Sequence, residues 1–219
     1  MPALLHRSPP GWLTLTVALL PIITVNLCFQ LSVAGDFIPD CFVYVDGCTS
    51  ISATGRHGIA YWLFKALMLP QCLVLVLFWR AIARHVDTPR AWWLRLTVVA
   101  SLFLAVYVLA LGSEGDLYRM MRRYGVFVFF LGTFIAQIAV TLRHGRSALP
   151  TGVLWAQRSL LAVMFLLAIA EVPLGTFGLE DDRGENIIEW NFSLLMQLWL
   201  LSWWWVKRPS ADASPATAS

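Results

Sequence analysis

Residues 12–34, WLTLTVALLPIITVNLCFQLSVA, form an apolar run that contains no charged residue. At about 1.5 Å per residue, a helix of this length is roughly 34 Å long, which is enough to cross the hydrocarbon core of a bilayer. Further apolar runs of similar length follow along the chain. The predicted spans are 12–34, 58–81, 91–111, 124–142, 154–175 and 187–206.

The composition of the chain supports the same class. Apolar residues make up 58% of its 219 residues and charged residues only 13%, about half the share found in ordinary soluble domains. The net charge of +3 is too small to indicate a nucleic-acid partner. We expect an all-α integral membrane protein, a single six-helix transmembrane bundle over residues 1–208. The tail, 209–219, is rich in Pro, Ala, Ser and Thr and is predicted to be disordered.

The distribution of basic residues predicts the orientation of the bundle. If the spans alternate, ten Lys and Arg residues lie on the side of both termini and six on the other side. Positive residues favour the cytoplasm, so both termini are predicted to be cytoplasmic, in the inner or plasma membrane if the source is bacterial. An alternative treats the first run as a cleaved signal peptide, although its apolar stretch is longer than such peptides usually have.

The first outer loop carries two cysteines, Cys41 and Cys48. A pair outside the cytoplasm can oxidise, and a disulfide here would close a short loop and contribute on the order of 2–3 kcal/mol. Two free thiols are the alternative. We predict the disulfide.

The same loop ends in a polar segment just before the second span. Ser50, Ser52, Arg56 and His57 supply hydroxyls, a guanidinium and an imidazole, which together can hold a phosphate near a helix N-terminus. An ordinary capped loop would use the same residue types. We predict a lipid-headgroup site at this position.

Two charged residues lie inside predicted spans. Lys65 is about 10 Å into the second span, and Glu189 is in the first turn of the sixth. An ion that faces lipid costs at least about 2.5 kcal/mol, so we expect Lys65 to approach Glu189, with Glu171 as the second choice. We predict that Lys65 and Glu189 belong to the headgroup site, in a polar pocket for a lipid headgroup or a proton. A purely structural pair, or a Lys65 that reaches up to the surface, is the alternative.

Chemistry beyond binding has little support in the sequence. The histidines do not converge on a metal site, and no cofactor-binding motif is present, so neither a metal nor a cofactor is expected. If the protein is an enzyme, His57 is the candidate acid or base and Ser50 or Ser52 the candidate nucleophile. Whether it is one stays open.

Several short motifs resemble the Frag/DRAM/Sfk family of six-span membrane proteins. They are SISATG at 50–55, WLF at 62–64, GVFVFF at 125–130 and Glu189-Trp190. Thr49 stands where the family pattern has a proline. The resemblance implies six spans, both termini in the cytoplasm and a role in lipid remodelling or membrane signalling, but no catalytic residue.

The sequence therefore predicts a protein that binds or helps remodel a lipid headgroup through an outer-leaflet polar pocket. Its expected partners are a membrane lipid and a membrane protein. A non-catalytic scaffold or regulator in a membrane complex is the first alternative, and a small transporter is the second. Polar residues that converge in the outer half of the membrane favour lipid handling, whereas a chain of them across the membrane favours transport.

Overall fold

The computed structural model describes residues 8–86, 88, 91–176 and 182–206, and the regular structure in these ranges is helical. The predicted tail, 209–219, lies outside the described residues. The helices are α1 Gly11–Ala34, α2 Val43–Asp46, α3 Ile51–Thr54, α4 Gly58–His85, α5 Trp92–Ala110, α6 Asp116–Ala148, α7 Thr151–Thr176 and α8 Asp182–Ser202, followed by a 3₁₀ turn at Trp203–Trp205.

Five of the helices, α1, α4, α5, α6 and α7, are long and apolar enough to cross a membrane. The chain is thus all-α, with the character of a multi-pass membrane protein. The predicted sixth span, 187–206, falls on α8, which is not among the five. Glu185, Asn186, Glu189 and Asn191 make the first half of α8 polar, so hydropathy alone does not identify it as a span.

The six long helices form a ring. Each packs against its neighbour in the chain, and α8 packs against α1 to close the circle. α1 is an integral member of the ring, because Val17, Ala18 and Cys28 on its inner side are fully buried. Among neighbouring helices of the ring, α6 and α7 have the least contact. The side of the ring where these two helices meet is therefore its loosest part.

One end of the ring is closed by aromatic side chains, and we call it the tryptophan end. Trp79 stacks on Trp199 with ring centres 5.7 Å apart and contacts Trp93 at 5.9 Å. Trp203 adds to this cluster at 6.1 Å from Trp199. The opposite end carries the connection between α1 and α4, residues 35–57, and we call it the loop end.

Candidate functional site

The connection between α1 and α4 is bound to the first half of α8, and we call it the docked loop. Three side chains of α8 donate hydrogen bonds to its backbone carbonyls. The pairs are Asn186 to Gly47 at 2.9 Å, Trp190 to Thr49 at 2.9 Å and Asn191 to Tyr44 at 2.8 Å. In the opposite direction, the Ile51 amide donates to the Glu189 carboxylate at 3.1 Å. The polar residues of α8 therefore satisfy backbone groups that the irregular loop leaves unpaired.

Two local features allow this docking. Cys41 and Cys48 form a disulfide across α2, with Cα atoms 6.4 Å apart, which confirms the predicted pair. Gly47 has a left-handed backbone (φ +58°), and a Cβ at this position would overlap the carbonyl oxygen of Arg183. Glycine is the residue that adopts this conformation without steric cost, so it permits the close approach to α8.

Three of the predicted headgroup residues form one hydrogen-bonded group. Ser50 caps α3, its hydroxyl accepting from the Ala53 amide at 3.2 Å, as N-cap serines do. The Ser50 hydroxyl also lies 3.1 Å from that of Ser52, which accepts from the Arg56 guanidinium at 2.7 Å. The structure thus brings Ser50, Ser52 and Arg56 together.

His57 lies apart from this group. It precedes α4, is exposed, and stacks on Phe37 with ring centres 5.1 Å apart. It has no hydrogen bond to Ser50 or Ser52 in the described part of the chain. A nucleophilic serine needs a base within hydrogen-bond reach, and an arginine stays protonated and cannot serve. Within the described residues, the two hydroxyls are bonded to each other, to the Ala53 amide and to Arg56.

Lys65 is held by other groups than the one predicted. Its ammonium donates to the Tyr61 hydroxyl at 2.6 Å, and to the Leu109 carbonyl at 3.1 Å. That carbonyl belongs to the last turn of α5, where carbonyls lack helical partners and carry the negative end of the helix dipole. Within the described residues Lys65 forms no ion pair with Glu189. The side chain of Glu171, the second choice, lies outside them.

A groove of about 500 Å³ lies between α6 and α8, beside α7. Its deeper part is lined by apolar side chains of α6, α7 and α8. They include Phe127, Phe130, Leu131, Phe134, Ala168 and Phe192. This volume is within the usual range of small-molecule sites, and the lining is apolar as such sites usually are.

The loop end of the groove is polar. Arg123 on α6 stands on one side, Glu185, Asn186 and Glu189 on α8 stand on the other, and Ser50 of the docked loop completes this end. Ser50 and Glu189 are thus the two predicted headgroup residues that line the groove. An amphipathic molecule could place its polar part here and its apolar part along the phenylalanines.

A smaller cavity of about 40 Å³ lies inside the ring and we call it the chamber. Four buried polar groups on its wall have no hydrogen-bond partner in the described residues: Gln71 Oε1, Tyr107 OH, Thr133 Oγ1 and Gln197 Oε1. Each of these residues is at most 4% exposed. Unpaired polar groups are costly in a buried site, and the chamber has room for two or three water molecules that could bond to them. Glu189 lines both the chamber and the groove.

The sequence reasoning missed the chamber and Arg123's part in the groove, although a signal was present. Thr133, Gln137 and Thr141 recur every four residues on α6, and Glu189, Ser193 and Gln197 do so on α8. Residues four apart share one helix face. Each helix therefore carries a polar stripe inside an otherwise apolar segment. Polar stripes of this kind in a span face protein or water, and mark functional sites by default.

Comparison with known proteins gives no further guide to the site. No protein-family model, curated protein or solved structure matches the chain. The resemblance to the Frag/DRAM/Sfk family therefore stays a prediction, and the function has to be argued from the geometry above.

Proposed function

We propose that this protein binds a membrane lipid in the groove between α6 and α8, with the headgroup at the loop end. The observation that carries the proposal is the division of the groove into a charged end and a phenylalanine-lined interior. A lipid has the same division along its length. The weak contact between the neighbouring helices α6 and α7 gives such a lipid a lateral way in from the bilayer.

The proposal includes six spans, with the loop end outside and both termini in the cytoplasm. α8 serves as the sixth span although its first half is polar, because the docked loop satisfies much of that half. The disulfide lies at the loop end, as expected outside the cytoplasm. A membrane-impermeant thiol reagent should label Cys41 or Cys48 in intact, reduced cells. Labelling only after permeabilisation would reverse the orientation.

Binding without turnover is the form of lipid handling that the site supports. The hydroxyls of Ser50 and Ser52 are bonded to each other, to the Ala53 amide and to Arg56. None of these partners is a general base. The proposal therefore assigns the protein to lipid recognition, either on its own or as the lipid-binding part of a membrane complex.

The test is to block the groove without changing its charges. Ala168 on α7 lines the groove, and Ala168→Trp would fill it with an indole. Ala162, on the same helix, is exposed and does not line the groove, so Ala162→Trp is the matched control. Lipids that survive purification and washing would be identified by mass spectrometry. We expect Ala168→Trp to lose lipid that the wild type and Ala162→Trp retain. Equal retention in all three would refute the proposal.

Small-solute or proton transport is the second candidate, and the polar stripes favour it. Below the chamber, Thr141 donates to Gln157 at 3.0 Å, and Gln157 donates to Ser202 at 2.9 Å. Polar groups thus continue toward the tryptophan end. Vesicles that contain the protein and a pH-sensitive dye separate the two functions. A proton flux that Gln137→Leu abolishes would favour transport, whereas lipid binding predicts no flux above that of protein-free vesicles.

A further inference from the structure

We infer that the groove selects a phospholipid whose headgroup carries both a phosphate and a primary ammonium group. This inference rests on the lipid-binding function proposed above and names the class of lipid. It is carried by the arrangement of charge at the loop end of the groove, where the two walls have opposite signs.

The positive wall is α6, which contributes Arg123. The negative wall is α8, which contributes Glu185 and Glu189. A guanidinium matches the oxygens of a phosphate with two parallel donors, so Arg123 fits the phosphate of the headgroup. The cationic part of the headgroup would then lie across the groove against α8.

The carboxylates on α8 exclude a purely anionic headgroup as the best ligand. Two carboxylates, those of Glu185 and Glu189, line the wall opposite Arg123. A lipid that brings only negative charge would gain from Arg123 and be repelled by α8. A headgroup that also brings a positive charge would be attracted by both walls.

The available acceptors favour a primary ammonium over a quaternary one. Glu189 already accepts from the Ile51 amide, so Glu185 is the more accessible carboxylate. The Asn186 side chain uses its amide nitrogen to donate to the Gly47 carbonyl. The amide oxygen of Asn186 can accept a hydrogen bond from another donor. An ammonium with N–H groups can donate to both oxygens, whereas a quaternary ammonium has no N–H to donate.

The test is a competition among three lipids in one membrane. The full-length protein would be reconstituted into nanodiscs with equal parts of phosphatidylethanolamine, phosphatidylcholine and phosphatidylglycerol. It would then be extracted and washed, and the retained lipids quantified by mass spectrometry. We expect phosphatidylethanolamine to be enriched over both others. Because Arg123 and Glu185 are exposed, each contact is worth about a two- to fivefold change in retention.

Matched variants identify the groups responsible. Glu185→Gln should remove the preference for phosphatidylethanolamine over phosphatidylcholine, and Arg123→Gln should lower the retention of all three phospholipids. Glu114→Gln and Arg119→Gln change exposed residues at the same end that do not line the groove. Both controls should leave the lipid profile unchanged.

The outcomes separate this inference from the function on which it rests. Retention of phosphatidylglycerol equal to or above that of phosphatidylethanolamine would overturn the inference. So would an ethanolamine preference that Glu185→Gln leaves intact, or no preference over phosphatidylcholine. In each of these cases a loss of lipid in Ala168→Trp would still support the groove as the binding site. If no variant changes the retained lipid, including Ala168→Trp, the lipid-binding function itself fails.

Discussion

The substitution Gly47→Ala is expected to separate the docked loop from α8 and to weaken lipid retention with it. Gly47 has φ +58°, and an added Cβ would overlap the Arg183 carbonyl oxygen and lie 2.8 Å from Ile187 Cγ1. A backbone oxygen cannot be moved aside by a change of side-chain rotamer. The loop has to shift instead, and Ser50 at the end of the groove follows Gly47 by three residues.

The magnitude follows from two separate costs. An alanine held in the left-handed region costs about 1–2 kcal/mol relative to its preferred conformation. A shifted loop also loses the 2.9 Å hydrogen bond from Asn186 to the Gly47 carbonyl, which is worth about 0.5–1.5 kcal/mol. We therefore expect a loss of about 1.5–3.5 kcal/mol. For a chain of this size, that corresponds to a Tm lower by roughly 3–14 °C.

The assay is thermal unfolding of the purified protein in detergent, followed by quantification of its retained lipid. Gly152→Ala is the matched control, because nothing lies within 4 Å of a Cβ placed there. In a helix that change should leave the free energy of unfolding unchanged or raise it by up to about 1 kcal/mol, with a Tm that is equal or slightly higher. If Gly47→Ala and Gly152→Ala have the same Tm and retain the same amount of lipid, the docked loop does not pack closely on α8 and the reasoning is refuted.

Three further predictions test the interior, the disulfide and the charged residues. Thr133→Val keeps the shape of a chamber residue and removes its hydroxyl. If the chamber holds water, this change should lower the free energy of unfolding by about 1 kcal/mol, whereas a higher Tm would show that the chamber is dry. Changing Cys41 and Cys48 together to serine should cost about 2.5 kcal/mol in the chain-entropy model and match the Tm of reduced wild type; no change on reduction would contradict this. Lys65→Met and Glu189→Gln should have additive effects on Tm, because no ion pair joins these two side chains within the described residues and they bond to different groups. Partial recovery in the double variant would show coupling between them.

Much of the fold could be predicted from hydropathy alone. The first span is α1 almost residue for residue, and the second and third begin within one residue of α4 and α5. The helix that contains the fourth predicted span is longer than that span, because α6 begins at Asp116 and includes the arginines that precede the apolar run. Charged residues end an apolar window without ending a helix, so hydropathy underestimates helices that continue beyond the membrane core.

The site was predicted less well because its contacts are long-range. Ser50, Ser52 and Arg56 are neighbours in the chain, and local spacing was enough to group them. The partner of Lys65 was different: a backbone carbonyl at the end of α5 holds its ammonium. Every helix ends in such carbonyls, and the sequence does not show which of them a distant side chain reaches. Charge complementarity alone therefore favoured Glu189.

The polar first half of α8 explains both why hydropathy does not identify this helix as a span and why a candidate site lies beside it. Glu185, Asn186, Glu189 and Asn191 lower the hydropathy of this helix, and a helix facing lipid on all sides could not tolerate them. The docked loop covers one side of this half, where Asn186, Trp190 and Asn191 donate to its carbonyls. The side toward α6 is left open, with Glu185 and Glu189 at its loop end. If these residues served only to bind the loop, that side would need no carboxylate. Their presence opposite Arg123 is the reason to look for a ligand there rather than to treat α8 as a poorly formed span.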